Sequence, residues 1–585
     1  MPDSIARPRF AAPRVDVERR SDGTMVLRSP EPLGPCVRAV GEWLEQWASR
    51  SPQHCFLAER SGEAWRRITY GDALDAVRRI GGALLARGLT HATPVAILSD
   101  NSINHALLAL GAMHVGVPVA PISPAYSLLS RDHAKLKGIF ELLHPGLVFA
   151  EGEQRFASAL AAVGATITPI DALLEREHSG RVEDAFAAIG PDTVAKILFT
   201  SGSTGTPKGV INTQRMLCSN QQSWAQLWPF LEDAPPVLCE WLPWNHTFGG
   251  NATFNMALRN GGTFYIDGGK PTPDLIATTA RNLREVSPTI YFNVPRGYDL
   301  LLPLLESDEQ LCRTFFSPRL DAVFYAGAAL PQNLYERLRA LMSSVAAGRT
   351  CMLSGWGSTE TAPLATCVHF PIDRPTAIGN PAPGVELKLV PSGIKLEARV
   401  KGPNVTPGYH GRPDLTRAAF DEEGFYKIGD ALRLVDVDNP AQGLAFDGRV
   451  AEDFKLQSGT WVHAGSVRLR LIAECNPLVQ DAVITGHDRA EVGALVWVNQ
   501  AAARTLGLDE TGVQARLEAA LAALCAHSGG GSTAPSRLLV LEQPPSIDDG
   551  EVTDKGYINQ RAVIERRSVH VEQLHLGAPG VIWPR

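Results

Sequence analysis

The chain has 585 residues, 44% hydrophobic and 20% charged, with 62 acidic against 55 basic side chains and a net charge of −7. That length exceeds one simple core and predicts two or more domains. The acidic balance excludes a chain-wide electrostatic footprint for nucleic acid, and nine scattered cysteines with no CxxC exclude the usual structural zinc pattern.

The first segment, MPDSIARPRFAAPRVDVERRSDG, lacks an apolar signal core and carries acidic residues, so residues 1–35 read as a partly ordered leader. With an odd cysteine count, this fits a cytoplasmic protein. Next, YGDALDAVRRIGGALLARGL (70–89) places apolar residues at helical spacing and closes on Gly88. TPVAILSD (93–100) is a short buried strand. HALLALGAMHVGVPVAPI (105–122) is the most apolar window, but His114, Gly116 and Pro118 interrupt it; a buried helix running into a strand is predicted, not a membrane span. KILFT (196–200), TFYID (263–267), TIYFNV (289–294) and DAVFYAG (321–327) follow as strands, with PQNLYERLRALMSSV as helix.

Such alternation predicts an α/β body with parallel-rich sheets covered on both faces. From about 384 the strands GVELKLV, KLEARVKG and GLAFDGR look antiparallel, a small β-barrel-like part. A smaller α+β unit closes the chain. The expected division is a body over 36–450 and a mobile C-terminal domain over 451–585.

LFTSGSTGTPKG (198–209) raises the functional question. A Walker A loop needs lysine directly after its last glycine, whereas Thr206 and Pro207 separate Gly205 from Lys208. Glycines that permit close backbone approach, hydroxyls and one lysine suit a polyphosphate. Composition alone leaves an ordinary Gly/Ser turn equally open.

Four segments in fixed order remove that ambiguity. TSGSTGTPKG, GWGSTET (355–361), KIGD (427–430) and DGRVAEDFK (447–455) together resemble the adenylate-forming superfamily of acyl-CoA synthetases, adenylation domains and luciferases. The resemblance implies ATP, Mg²⁺ and coenzyme A as cofactor, metal and co-substrate. Thr200, Ser201, Gly202, Ser203, Thr204, Gly205 and Lys208 would hold the β- and γ-phosphates. Thr359 would bond the α-phosphate, Glu360 would ligate Mg²⁺, and Trp356 would stack on adenine. Asp430 would accept the ribose hydroxyls, with Arg449 beside it.

The same resemblance implies an acid pocket in WLPWNHTFGGN (241–251), lined by Trp244, His246, Phe248 and Gly249. His246 would lie near the substrate carboxylate. YAGAALP (325–331) would contribute Gly327 and Ala328, with Ala326 in place of a common glycine. Two departures stand out. The usual C-terminal lysine follows glycine, but here EVTDKGYINQR puts Lys555 before Gly556 and Tyr557 in the lysine column. At the hinge, Ala451 replaces the usual Asp or Lys. Lys455 matches the segment's lysine and would serve the thioester-forming conformation.

WLPWNHTFGGN, DGRVAEDFKLQSGTWV and TDKGYINQRAV look like the feruloyl-CoA synthetase branch, where the shifted lysine recurs. That resemblance implies ligation of ferulate, p-coumarate or caffeate to coenzyme A through an acyl-adenylate. The alternatives are a ligase for another aryl or medium-chain acid, or a stand-alone adenylating enzyme that loads a carrier protein.

Overall fold

The buried strands pair much as their composition dictates. In the computed structural model, which describes residues 8–175, 180–200, 207–345, 349–528, 530–553 and 556–584, a five-stranded sheet runs 147–150, 95–98, 119–122, 194–200, 208–213. Its first four strands are parallel, and the last returns antiparallel with Thr200 opposite Lys208. The phosphate-loop segment therefore leaves from and returns to adjacent ends of one strand pair. Ser201, Gly202, Ser203, Thr204 and Gly205 lie outside the described residues.

Helices cover the sheet as their patterns require. Helix Tyr70–Ala86 starts where Thr69 caps the Asp72 amide at 3.2 Å, and it buries Ala73, Val77, Ile80 and Leu84. Helix Ile103–His114 is buried on nearly every side and packs closely on it; a Cβ at Gly111 would strike Ile80 at 2.6 Å. No helix among the described residues is long and apolar enough to cross a membrane.

The second large sheet has eleven strands. Parallel strands 290–293, 322–325 and 351–357 continue into antiparallel strands 364–367, 377–381, 444–449, 426–434, 395–401 and 386–392. The antiparallel segments expected as a separate barrel-like part thus extend this sheet. A correction falls on the leader: Asp16–Arg19 and Met25–Arg28 form its far edge, with Leu27 fully buried. Alternating charge across one short strand disguised that pairing. A four-stranded sheet of 237–240, 263–266, 55–61 and 64–69 backs the cleft.

Residues 454–582 build their own hydrophobic cluster around Val462, Leu471, Ala482 and Leu538, with a four-stranded sheet of 479–485, 493–498, 537–540 and 581–582. One ion pair ties this unit to the body. Lys395, on strand 395–401, meets Asp453 at 2.5 Å, and both side chains are buried. The same ammonium donates to the Asp447 carbonyl at 2.5 Å, and His463 Nδ1 lies 2.9 Å from Asp453. Removing one partner strands the other charge in low dielectric. Lys395→Met is expected to destabilise the protein by about 3–5 kcal/mol, measured by urea unfolding, with Lys395→Met/Asp453→Leu recovering much of the loss.

Candidate active site

A cleft of about 3010 Å³ opens between the body and the C-terminal unit. Single-ligand pockets span roughly 300–1,000 Å³, so this space suits more than one substrate. Thr200, Lys208, His246, Phe248, Gly249, Gly327, Ala328, Trp356, Thr359, Glu360, Asp430, Arg449 and Ala451 all line it.

Glu360 occupies the short 3-10 turn Thr359–Thr361, capped by Ser358, whose hydroxyl accepts the Glu360 amide at 3.2 Å. Its carboxylate is buried and accepts the Tyr409 hydroxyl at 3.0 Å. Lys208 lies with its ammonium 5.4 Å from the centre of the same tyrosine ring. Tyr409 thus joins the two charges of opposite sign, and burial pushes its phenol upward. A lone carboxylate is too small a donor set for an all-protein metal cage. It does fit Mg²⁺, which keeps waters and takes substrate phosphates as further ligands.

Asp430 is buried on strand 426–434, opposite Arg449 in register. It accepts the Trp356 indole N–H at 2.8 Å and pairs with Arg449 Nε at 3.0 Å. Burial raises its pKa against the opposing pull of Arg449 and Trp356. Trp356 therefore has a fixed ring plane, set by its own hydrogen bond, with the ring on the cleft wall. Arg449 leads directly into the 3-10 turn Val450–Glu452 that carries Ala451.

The C-terminal unit reaches the cleft through a hairpin. Val552 bridges Ile558, and the Thr553 amide donates to the Tyr557 carbonyl at 2.8 Å. Arg567 clamps its base through a buried pair with Glu551 at 2.7 Å. Thr553 and Tyr557 line the cleft, and burial pushes the Tyr557 phenol up to about 12. Gly327 adopts φ +88°, and a Cβ there would sit 3.1 Å from the Tyr557 hydroxyl. Lys555 lies outside the described residues. Ahead of the hairpin, Lys135 donates to the Ile547 carbonyl, and Asp548 accepts the Arg131 amide at 3.0 Å.

Residues 44–410 match the AMP-binding enzyme family, and residues 456–576 match the AMP-binding enzyme C-terminal domain. The chain belongs to the AMP-binding enzymes. Among curated relatives, a methyl-dioxo-octahydro-indenyl-propanoyl:CoA ligase of Mycobacterium tuberculosis is 27% identical over 508 residues, covering 82% of this chain and 91% of that protein. Its counterpart in Rhodococcus jostii is 26% identical over 396 residues, covering 63% and 73%. Among solved structures, the adenylation domain of a Segniliparus rugosus carboxylic acid reductase superposes with TM-score 0.71 at 19% identity, covering 92% of this chain and 94% of that one. The Bacillus subtilis o-succinylbenzoate CoA synthetase gives 0.67 at 18%, covering 89% and 97%. These likenesses show the fold.

Within this AMP-binding enzyme two expected site residues stand elsewhere. Trp244 is buried away from the cleft, edge-on to Phe254 at 4.9 Å and to His105 at 5.4 Å. In WLPWNH, Trp241 faces the cleft in its stead, because the chain turns at Pro243 and sends Trp244 into the core. Lys455 is exposed on the two-residue strand Phe454–Lys455, with its ammonium 5.0 Å from the Trp461 ring. Pairing with Trp461 in that small hairpin keeps it off the cleft in this arrangement. Tyr409 and Lys395 carry contacts that the sequence motifs do not mark.

Tyr409→Phe leaves a buried carboxylate oxygen without its donor. It is expected to weaken Mg·ATP binding about tenfold, at the upper end for a hydrogen bond to a charged group, while AMP affinity stays within about twofold. Titration calorimetry with each nucleotide checks the split.

Proposed function

We propose that this enzyme activates an aryl carboxylic acid as its adenylate and transfers the acyl group to the thiol of coenzyme A. Ferulate, with p-coumarate and caffeate as relatives, is the favoured acid. One observation carries the reading: the charged end of the cleft, with Glu360, Asp430 and Lys208, runs directly into an aromatic end. There Phe248 lies 5.9 Å from Phe324, and Trp224 lies 5.4 Å from the same ring. Flat rings pack offset or edge-on against such walls.

The reaction divides into two displacements. An acid oxygen bonds to the α-phosphorus of ATP and pyrophosphate leaves; the thiol sulfur then bonds to the acyl carbon and AMP leaves. Holding two anions together is a task of positioning and charge. Asp430 would accept ribose hydroxyls from a strand that cannot move independently of its sheet. Lys208 would bring positive charge to the polyphosphate, and His246 would donate or accept at the acid end. Mg²⁺, held by Glu360, would neutralise the phosphates and polarise them. A mobile C-terminal domain hinged at Ala451, with Lys455 entering in a second orientation, would serve the thiol step.

A second reading is favoured by the indenyl-propanoate CoA ligases among the relatives: a bulky saturated acid in the same cleft. ATP–pyrophosphate exchange across ferulate, p-coumarate, caffeate, octanoate and a bicyclic propanoate separates them. Exchange with the cinnamates and thioester only with coenzyme A supports the proposal; activity confined to saturated acids sinks it. Lys555→Ala is expected to abolish exchange yet spare thioester formation from supplied feruloyl-AMP. Retained exchange removes Lys555 from the adenylation step.

A further inference from the structure

The wall of the acid end is a π-helical turn, Phe248–Thr253. A π turn widens the backbone and displaces carbonyls from ordinary helical partners. Here side chains meet those carbonyls one after another. Thr253 Oγ donates to the Gly249 carbonyl at 3.1 Å. Lys196 Nζ donates to the Gly250 carbonyl at 2.6 Å. Gln221 Nε2 donates to the Asn251 and Ala252 carbonyls at 3.0 and 2.9 Å. Behind the turn, a Cβ at Gly249 would collide with the Leu242 and Pro243 carbonyls, and one at Gly250 with that of Trp244. The turn is therefore pressed from one side and pulled by side chains from the other.

Lys196 is the costly member of this set. Its side chain is 4% exposed, and burial alone lowers its ammonium to about 7. Among the described residues no carboxylate raises it against that burial, and its charge adds to the downward push of burial on His105. A methionine would fill the same volume without that desolvation penalty. What the lysine adds is an N–H donor to one carbonyl, charge-assisted whenever the ammonium keeps its proton. That carbonyl lies one residue beyond Gly249 and two beyond Phe248, both on the cleft. Strand 194–200, which bears Lys196, ends at Thr200 on the same cleft.

We propose that Lys196 is a positioning residue that sets the width of the acid pocket by fixing the π turn through the Gly250 carbonyl. It touches no substrate. It acts through Phe248 and Gly249, and so governs which acids fit. The inference rests on the acid-activating reading for its kinetic arm only.

Two variants test it. Lys196→Met keeps an unbranched apolar stem and removes the donor; Lys196→Gln has the same reach as Met, one bond short of the lysine nitrogen, and keeps an N–H donor. In ATP–pyrophosphate exchange, Lys196→Met is expected to raise KM for the acid about tenfold, the size of a lost charged hydrogen bond, with KM for ATP within about twofold. Lys196→Gln should fall between Met and the wild type. Hydrogen exchange of ligand-free protein supplies a readout independent of turnover: amides 248–254 should exchange about tenfold faster in Lys196→Met, while those of 351–357 stay unchanged. Equal rises in both KM values, or unchanged exchange of 248–254, overturn the inference. If Lys196→Met does not fold, Lys196→Gln decides by the same two comparisons. If the wild type activates no acid, the ligase reading falls, and hydrogen exchange still judges the role of Lys196.

Discussion

The pairing of strands 426–434 and 444–449 is the constraint on which the cleft depends. It sets Asp430 opposite Arg449, so one backbone ladder fixes both the buried carboxylate and the residue that enters the 3-10 turn Val450–Glu452. Trp356 arrives from another strand of the same sheet and is oriented by the same carboxylate. An acceptor on a loop would lose alignment with each fluctuation; an acceptor locked between neighbouring strands does not. The end of the cleft that Asp430, Trp356 and Arg449 line is thus as rigid as the sheet that builds it.

Past that ladder the chain passes from the body into the C-terminal unit. Beyond Arg449 the chain passes through Ala451, which has no polar side chain, into Asp453, which is clamped by Lys395. A restraint on the two units therefore resides two residues beyond Ala451, in a buried ion pair shared between them. A second set of contacts, at Arg131, Lys135, Ile547 and Asp548, lies far along the chain from the first. Seating the C-terminal unit consequently uses two separated anchor points, with the Thr553–Tyr557 hairpin between them and the cleft.

The motif residues were readable in the sequence because four segments stand in the order that resembles the adenylate-forming enzymes. Thr200, Lys208 and Arg449 stand at strand ends, Glu360 lies just past one, and Asp430 sits within strand 426–434 opposite Arg449, which brings them to one cleft. Apolar strands in the body were equally plain, since Val/Ile/Leu runs of four to seven residues leave few alternatives. What stayed hidden was partnership. Tyr409 lies 49 residues from Glu360, and nothing local marks its hydroxyl as a donor to that carboxylate. Trp244 and Trp241 have the same composition and sit three residues apart; only the turn at Pro243 decides which faces the cleft. Lys196 reads as one polar residue in a strand until the π turn beside it is known. The edge strand 16–19 was disguised by charge, which exposed edges tolerate and indeed favour, and its apolar neighbour 25–28 is only four residues long.

Gly327 lets the backbone turn at φ +88° and leaves the Tyr557 hydroxyl 3.1 Å from where a Cβ would stand. One position thus borders both the cleft and the C-terminal hairpin. A side chain added there would press on that hairpin as well as narrow the cleft. The shape of the cleft at this point and the seating of the C-terminal hairpin are therefore not independent, because a single missing side chain makes room for both.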